Sequence, residues 1–351
     1  MKNTRELLLE HIRKYPNMEI RDIFKLLYQS AFGCEHLVSS FESATDYIRF
    51  EHKAPRERDG DLTVSLGKGY GRVHLSWLDR GLKPETLAKL FILSSKKDKS
   101  TKDELEETLK AAGDMIKDKT LPLSLDDFLE QWEKWRDEGY PAIRHSEQYR
   151  ASYTPAYRVI ANEYIPFIPL FAEIDKAEKK PFTVAIEGGS ASGKSTLADL
   201  LSKVYDCTVF HMDDFFLRPE QRTKERYEEV GGNVDRERFL SEVLIPLSRN
   251  ETVSYKRFDC STFTLLPAET VIPKDLVIVE GAYSMHPALS GSYGLCVFLD
   301  ISPALQKERI SKRNTADLAE RFYNEWIPME NIYFEKMQIK ERCDLVIQIN
   351  E

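Results

Sequence analysis

The sequence predicts two domains: an α/β domain in its second half, built on a parallel sheet flanked by helices, and before it a mainly α-helical domain with a β-hairpin. Three observations predict this. After residue 181, short apolar runs alternate with helix-length segments, as expected for parallel strands that crossover helices bury on both faces. A Gly-rich motif joins the first of these apolar runs to a segment with helical spacing. Before residue 173, apolar residues recur mainly with the spacing of helices. The predicted strands are 183–186, 208–212, 276–279, 295–299 and 345–349.

A charged stretch marks the predicted boundary between the two domains. Residues 173–181 are rich in Glu and Lys and end in Pro181, directly before the first apolar run. A length of 351 residues suits about two domains. We therefore predict a helical domain of unknown role over 1–175 and an α/β domain over 176–351.

The helical domain shows amphipathic stripes, a helix start and a hairpin signal. Apolar side chains with helical spacing are Ile20, Ile23, Phe24 and Leu27, followed later by Phe128, Trp132 and Trp135. Thr101 and Glu104 form a capping-box pattern. Residues 62–66 and 72–75 read as strands joined through the Gly-rich segment 67–71. We interpret the stripes as core.

Two features of this half also suit ligands, and each has a simpler explanation. Cys34, Glu35, His36 and His74 are residue types that bind metals, but their spacing matches no dedicated site. The run 145–158 is dense in Arg and Tyr, which suits a phosphate, an aromatic ligand or a docking surface. Packing between domains explains that run slightly better.

Composition and charge exclude several classes of partner. The formal net charge is −8, which argues against nucleic acid or an anionic membrane as the main partner. No apolar run reaches the length of a signal peptide core or a membrane span. The 5 cysteines are scattered and show no C-x-x-C spacing, which suits reduced thiols. We predict a cytoplasmic protein, with a homo-oligomer left open.

The strongest signal is a phosphate-binding loop. The apolar run at 184–186 leads into G-x-x-x-x-G-K-S, and the following residues continue with helical spacing. Glycines let backbone N–H groups surround phosphates, the lysine reaches the β/γ-oxygens, and the serine hydroxyl binds Mg²⁺. The predicted ATP-binding residues are Gly188, Gly189, Ser190, Ala191, Ser192, Gly193, Lys194, Ser195 and Thr196.

Carboxylates follow two further predicted strands. Asp213 and Asp214 come after the strand at 208–212, and Glu280 ends the strand at 276–279. Open α/β sheets bind ligands at this edge. An acid there can accept a proton from a hydroxyl or hold Mg²⁺. A solvated turn or an exposed strand end is the alternative for each, which the nearby phosphate loop makes weaker. We predict Ser195 and Glu280 as Mg²⁺ ligands, with Asp214 sharing that role.

Taken in order, these motifs resemble those of the uridine kinase, phosphoribulokinase and nicotinamide riboside kinase group of P-loop kinases. The order is GGSASGKST, MDDFF, a distal NVD, YKRFD, VIVEG and a basic helix, over roughly the second half of the chain. The resemblance implies an ATP-dependent kinase fold over 176–351 that phosphorylates a hydroxyl of a small molecule.

The same resemblance implies roles for individual residues. In that group the Asp of Asp-x-Phe is the catalytic base, and here it is Asp213. The elements that contact the nucleoside in uridine kinases match Asn233, Asp235, Phe258 and Asp259. A lid helix supplies basic side chains to the phosphates, here Lys307, Arg309, Lys312 and Arg313, with Arg321 just beyond. We assign Lys194, Arg309 and Arg313 to phosphate charge, and place the acceptor among Asp213, Asp235, Tyr255, Arg257 and Asp259.

Departures from the uridine kinase pattern affect the predicted acceptor. Phe258 stands where those enzymes have Tyr, and Phe263 stands where they have a base-contacting His. The lid pattern is also altered, and the MDDFF element and the run 326–329 resemble nicotinamide riboside kinases equally well. We therefore predict a nucleoside, riboside or related polyol, held through a vicinal diol. The alternative function is an ATP-binding or ATP-hydrolysing switch whose N-terminal domain binds a partner.

Overall fold

The computed structural model describes residues 3–34, 40–54, 61–67, 69–97 and 100–350. These residues form two compact units, Met1–Lys176 and Ala177–Glu351. Glu35, His36 and Lys68, which belong to the predicted metal and hairpin segments, lie outside the described residues. No helix within the described ranges is long and apolar enough to cross a membrane.

The first unit is mainly helical, as predicted. Its α-helices are α1 (Thr4–Lys14), α2 (Ile20–Phe32), α3 (Phe41–Lys53), α4 (Pro84–Ser95), α5 (Lys102–Lys117), α6 (Leu125–Asp137), α7 (Glu147–Tyr153) and α8 (Ile168–Lys176). The Thr101 and Glu104 capping box is present at the start of α5. Phe24 of α2 stacks on Trp135 and meets Phe128 edge-on, both from α6. The predicted apolar stripes are therefore core.

The predicted hairpin is confirmed, and a third strand extends it. The strands are β1 (Thr63–Ser65), β2 (Tyr70–His74) and β3 (Tyr157–Ala161), in the order β1-β2-β3 with antiparallel pairs. Sequence reasoning read the start of β3 as part of the Arg- and Tyr-rich run. The apolar residues Val159 and Ile160 were the available signal, since both are buried in β3.

The second unit contains the predicted parallel sheet. Its strands are β4 (Phe182–Gly188), β5 (Cys207–His211), β6 (Val253–Tyr255), β7 (Phe258–Asp259), β8 (Thr264–Leu265), β9 (Glu269–Val271), β10 (Leu276–Glu280), β11 (Leu295–Ile301) and β12 (Leu345–Ile349). Five of them form the sheet in the order β12-β11-β4-β10-β5, and every neighbouring pair is parallel. β4 and β10 are buried along nearly their whole length, because helices cover both faces of such a sheet.

Helices and one long connection complete the second unit. The connection between β5 and β10, residues 212–275, carries the two-stranded pairs β6-β9 and β7-β8. Ser302 caps α14 with Pro303 at its first position, as predicted. The helices are α9 (Lys194–Val204), α10 (Lys224–Glu228), α11 (Arg236–Phe239), α12 (Ile245–Ser248), α13 (Pro287–Ser290), α14 (Pro303–Arg313), α15 (Ala316–Arg321) and α16 (Ile327–Lys336).

Candidate active site

The phosphate loop, residues 188–193, joins β4 to α9 in a turn that needs glycine at both ends. Gly188 has a φ of +149° and Gly193 a φ of +97°, where a side chain would be strained. A Cβ atom on Gly188 would also lie 2.6 Å from the carbonyl oxygen of Leu299. Because α9 begins directly after the loop, the unpaired N–H groups of its first turn lie where an anion can bind.

Lys194, the first residue of α9, folds back over the loop. Its Nζ donates to the carbonyl oxygens of Gly188 at 2.8 Å and Gly189 at 3.1 Å. Neutral carbonyl acceptors hold the ammonium in place without cancelling its charge. The positive charge therefore stays available to an anion in the loop.

Glu280, at the end of β10, lies between β4 and β5 and contacts the start of α9. The parallel register places Glu280 opposite Ile186 of β4 and His211 of β5. The Ser195 hydroxyl donates to Glu280, with oxygen separations of 3.1 and 3.2 Å, and His211 Nδ1 lies 2.6 Å from Glu280 Oε1. That hydrogen bond raises the pKa of His211, which favours a protonated imidazole facing the carboxylate.

Asp213 and Asp214 lie in a 3₁₀ turn, Met212–Phe215, directly after β5. Burial raises the pKa of Asp213; the charges of Lys194, His211 and Arg313 act in the opposite direction, and Glu280 adds to the rise. The Asp213 carboxylate is nevertheless exposed to the cleft described below. Burial also raises the pKa of Asp214, whose backbone carbonyl accepts a hydrogen bond from Arg238 at 2.9 Å.

The basic helix α14 contacts the phosphate loop directly. Arg309 Nη1 donates to the carbonyl oxygen of Ala191 at 3.1 Å, and Gln306 Nε2 donates to that of Ser190 at 2.9 Å. Arg313, at the end of the same helix, lies over the ring of Phe322 at 5.6 Å and borders the cleft. Two of the predicted phosphate-binding arginines are therefore beside the loop or its cleft.

Two buried glutamates support the loop from behind. Glu330 of α16 accepts hydrogen bonds from the Ser190 backbone N–H at 2.8 Å and from the Ser190 hydroxyl at 2.6 Å. Glu187, fully buried in β4, accepts from the N–H groups of Gly188 and Met285 and from the Tyr333 hydroxyl. Burial raises the pKa of Glu187 to about 7. Both glutamates therefore hold the loop by accepting hydrogen bonds from its N–H and hydroxyl groups.

A cleft of about 1040 Å³ opens in front of these groups. On one side it is lined by the phosphate loop, the start of α9 and Glu280, and on another by the β5–β10 connection. Much of the remaining wall is aromatic or apolar. The lining from the connection is Asp213, Phe216, Leu217, Arg222, Tyr227, Asn233, Cys260 and Phe263, and the opposite residues include Tyr283, Arg313, Arg321, Phe322, Trp326, Pro328 and Met329.

The other residues predicted to bind the acceptor serve the local structure of the connection. The Asp235 side chain is buried, caps α11 through the Arg238 N–H at 3.1 Å and accepts from Gln221 at 2.9 Å. Asp259 accepts from Ser261 and Thr262 in its own turn, and these bonds lower its pKa to about 2.

Tyr255 and Arg257 lie beside the cleft without lining it. Tyr255 packs in the core against Phe210 and Phe215. Arg257 Nε donates to Glu269 at 2.8 Å. The lining of the cleft includes Asp213 but none of Asp235, Tyr255, Arg257 or Asp259. The acceptor roles of these four residues stay predictions.

The donors beside the loop suit a magnesium ion that is shared with phosphates. The Ser195 hydroxyl and the Glu280 carboxylate lie together, and hydroxyl and carboxylate oxygens are ligands that Mg²⁺ accepts. In the described part of the chain, no group of three or more His, Cys, Asp or Glu side chains could hold a metal by itself. Sites that bind Mg²⁺ with a nucleotide use one or two protein ligands plus phosphate oxygens, which fits this pair.

Sequence reasoning did not predict Glu187, His211, Gln306 or Glu330. Glu187 carried a signal, because it is a charged residue inside an otherwise apolar strand. The pairing of parallel strand ends could have indicated His211, which ends β5 directly before the turn that carries Asp213 and Asp214. Gln306 and Glu330 lie 116 and 140 positions from Ser190, and nothing in the local sequence indicates those contacts.

No protein-family model matches this chain. The chain is 25% identical over 148 residues to uridine kinase-like protein 3 of Arabidopsis thaliana, covering 39% of this chain and 32% of that one. It is 27% identical over 152 residues to a uridine kinase of Alkaliphilus metalliredigens, covering 40% and 71%. A uridine kinase of Clostridium perfringens is 26% identical over 189 residues, covering 48% and 88%.

Among solved structures, a possible uridine kinase from Bacillus stearothermophilus aligns with 53% of this chain and 98% of its own, at a TM-score of 0.43 and 21% identity. The chain spans about a third of the length of the Arabidopsis relatives that it matches. Up to about half of this chain is therefore similar in sequence to uridine kinases and uridine kinase-like proteins, and the chain carries a phosphate loop at the carboxyl ends of a parallel sheet.

Proposed function

We propose that this protein is an ATP-dependent phosphotransferase whose acceptor is a hydroxyl of a small molecule, namely a nucleoside, a riboside or a related polyol. The observation that carries the proposal is the single cleft that the phosphate loop, Glu280 and Asp213 line together. A phosphate donor in the loop and an acceptor beside Asp213 would share that cleft. Transfer between them then needs positioning and charge neutralisation above all.

On the donor side, the loop N–H groups and Lys194 bind the β- and γ-phosphates. Lys194 exchanges the carbonyl oxygens of Gly188 and Gly189 for phosphate oxygens, so little side-chain order is lost on binding. Ser195 and Glu280 hold Mg²⁺, with Asp214 as a further candidate. When bound, Mg²⁺ neutralises part of the phosphate charge.

On the acceptor side, Asp213 takes the proton of the attacking hydroxyl. Its raised pKa makes the carboxylate a better base than an ordinary aspartate, provided that it is ionised. The charge of Lys194, which acts to lower this pKa, favours the ionised form. Asp213, which lines the cleft together with the phosphate loop, can therefore orient the acceptor hydroxyl and remove its proton.

Arg309 and Arg313 complete the charge around the transferred group. Arg309 already contacts the loop at Ala191, and Arg313 borders the cleft. Movement of α14 over bound nucleotide would bring both guanidinium groups toward the phosphates and exclude water, which otherwise competes as acceptor. This is the lid role that the sequence predicts for the helix.

The wall around Asp213 suits an acceptor with a flat, apolar part and several hydroxyls. Phe216, Phe263 and Trp326 supply the apolar surface, while Asn233 and Arg222 supply polar groups. The diol contact with Asp235 or Asp259 stays a prediction. It would require those carboxylates to leave their present partners, so we expect the residues that line the cleft to contribute most of the binding of the acceptor. We expect little discrimination in favour of uracil.

The test is ATP turnover with and without a panel of acceptors. Uridine, cytidine, nicotinamide riboside and free pentoses are each added to the full chain with Mg-ATP, and both ADP and the phosphorylated acceptor are measured. We expect at least one riboside to raise turnover with one phosphorylated product per ADP, and Asp213→Asn to abolish that product. Turnover that no acceptor changes would instead support a nucleotide-dependent switch.

A further inference from the structure

The first unit contains a cluster of buried polar side chains that the proposed function does not use. We call it the polar cluster. It joins α2, β2, the start of α7 and β3, and most of its members are nearly inaccessible to solvent. Its members are Asp22, Lys25, Gln29, Arg72, His145, Tyr149 and Tyr157.

His145 forms hydrogen bonds with Asp22 through one ring nitrogen and with Tyr157 through the other. Burial alone would raise the pKa of Asp22, but hydrogen bonds from His145 and Ser146 lower it. Burial lowers the pKa of His145 to about 3, so the imidazole is neutral. His145 Nδ1 therefore donates to Asp22 at 2.8 Å, and Nε2 accepts from the Tyr157 hydroxyl at 2.6 Å.

Gln29 extends this chain of hydrogen bonds from Tyr157 to Arg72. Gln29 Nε2 donates to the Tyr157 oxygen at 3.3 Å, and its Oε1 accepts from Arg72 Nε and Nη2 at 3.1 and 2.8 Å. Arg72 also lies over the Tyr157 ring at 4.6 Å and 3.5 Å from the Tyr149 hydroxyl. Among the described residues, the groups that contact this guanidinium are neutral. Arg72 is only 4% exposed, so its charge is buried, and no acidic side chain of the described residues forms an ion pair with it.

Lys25 adds a second cation, whose charge is repelled by that of Arg72. Its Nζ donates to the carbonyl oxygen of Ile143 at 2.8 Å, a neutral partner. Burial, followed by repulsion from Arg72, lowers the pKa of Lys25 to about 8, so the lysine is still mostly charged at pH 7. The cluster thus contains two basic side chains that are cations, Lys25 and Arg72, and one acidic side chain, Asp22, so cations outnumber anions among its members.

Asp22 cannot satisfy both cations. Its oxygens already accept from His145 and from the N–H and hydroxyl of Ser146. Burying like charges close together is unfavourable unless an opposite charge joins them. An oxyanion beside Arg72 and Lys25 would supply that charge. It would accept hydrogen bonds from the guanidinium and ammonium groups and from the Tyr149 hydroxyl, which lies beside Arg72.

We propose that the polar cluster is a binding site for the oxyanion group of a small molecule, a phosphate or a carboxylate. Arg72 and Lys25 bind the anion, and the chain from Gln29 through Tyr157 and His145 to Asp22 holds Arg72 in place. This site is separate from the phosphate loop and does not depend on the proposed kinase activity. The predicted Arg- and Tyr-rich run contributes to it through His145, Tyr149 and Tyr157.

The experiment measures anion binding in the full chain with the phosphate loop disabled. Inorganic phosphate and acetate are titrated separately into the Lys194→Ala variant, followed by calorimetry and by thermal melting. We expect at least one anion to bind saturably and raise the melting temperature. Adding Lys25→Met should weaken that binding at least about tenfold, whereas Arg13→Met, which removes an exposed charge from the same unit, should not change it.

Two further results keep the proposal open to refutation. Arg72→Lys retains the charge but loses the guanidinium fork, so it should also weaken the anion even if Lys25→Met proves too unstable to measure. Tight phosphate binding with weak acetate binding identifies a phosphate site, and the reverse identifies a carboxylate site. No saturable binding of either anion, or equal binding by Arg72→Lys and Arg13→Met, would overturn the proposal.

Discussion

The phosphate loop and the β5–β10 connection use their charged side chains in different ways. Around the loop, Lys194, Ser195 and Glu280 have partners that a ligand could replace: carbonyl oxygens, a hydroxyl and a carboxylate. In the connection, Asp235 accepts from the Arg238 N–H and from the Gln221 amide, and Asp259 accepts from N–H and hydroxyl donors of its own turn. A polar side chain next to a cleft is therefore open to a ligand only if folding has not already used its hydrogen bonds.

The substitution with the largest expected effect is Asp213→Asn, at the point where the connection meets the loop. The change is nearly isosteric and removes the proton acceptor, so phosphoryl transfer should fall by about 10²–10⁴-fold while ATP still binds. Titration calorimetry and product formation are measured together. Asp214→Asn is the matched control, and a greater loss from that change would show that the two aspartates exchange roles.

The pH dependence of turnover sharpens the same assignment. Asp213 must be ionised to accept a proton, and burial raises its pKa above the ordinary value. Activity should therefore fall on acidification at a higher pH than for an ordinary aspartate, whose pKa is about 3.9. The acid limb of kcat/KM against pH reports this pKa, and an acid limb at or below the ordinary value would exclude Asp213 as the base.

Lys194→Ala should have the next largest effect. Removing the charge from the loop should lower kcat by at least about 10²-fold, which corresponds to about 2.7 kcal/mol of transition-state stabilisation. The fold should persist, because Lys194 contacts the backbone of its own loop. Lys203→Ala, on the exposed face of the same helix, is the control. Near-normal turnover in folded Lys194→Ala would be incompatible with the phosphate role.

The contrast between the two regions also explains what could be predicted from the sequence. The strands, the loop and Glu280 are recognisable because periodicity and strand ends are local properties, and register then brings strand ends together. The contact of Glu330 with Ser190 spans 140 positions and depends on how α16 packs. The acceptor role of Asp235 comes from the resemblance to uridine kinases, and the structure adds that this side chain also caps α11.

Glu330→Ala tests whether the buried glutamate behind the loop matters for nucleotide binding. The change removes both acceptors of Ser190 and should loosen the loop before ATP binds. We expect KM for ATP to rise by about 3- to 10-fold with a smaller change in kcat. Glu335→Ala, an exposed position on the same helix, should leave both constants unchanged. Equal kinetics for the two variants would show that Glu330 has no part in ordering the loop.

The smallest effect on turnover is expected from Asp235→Ala. Loss of the cap on α11 and of the hydrogen bond from Gln221 should cost about 1–2 kcal/mol of unfolding free energy. KM for the acceptor should change by less than about threefold, because Asp235 does not line the cleft. Asp235→Asn retains a capping oxygen and should recover most of the stability. Denaturant unfolding and acceptor kinetics separate the two roles. An acceptor KM that rises tenfold or more in a variant of normal stability would establish the diol contact that the sequence predicts, and would place the acceptor against Asp235 rather than against Phe263 and Trp326.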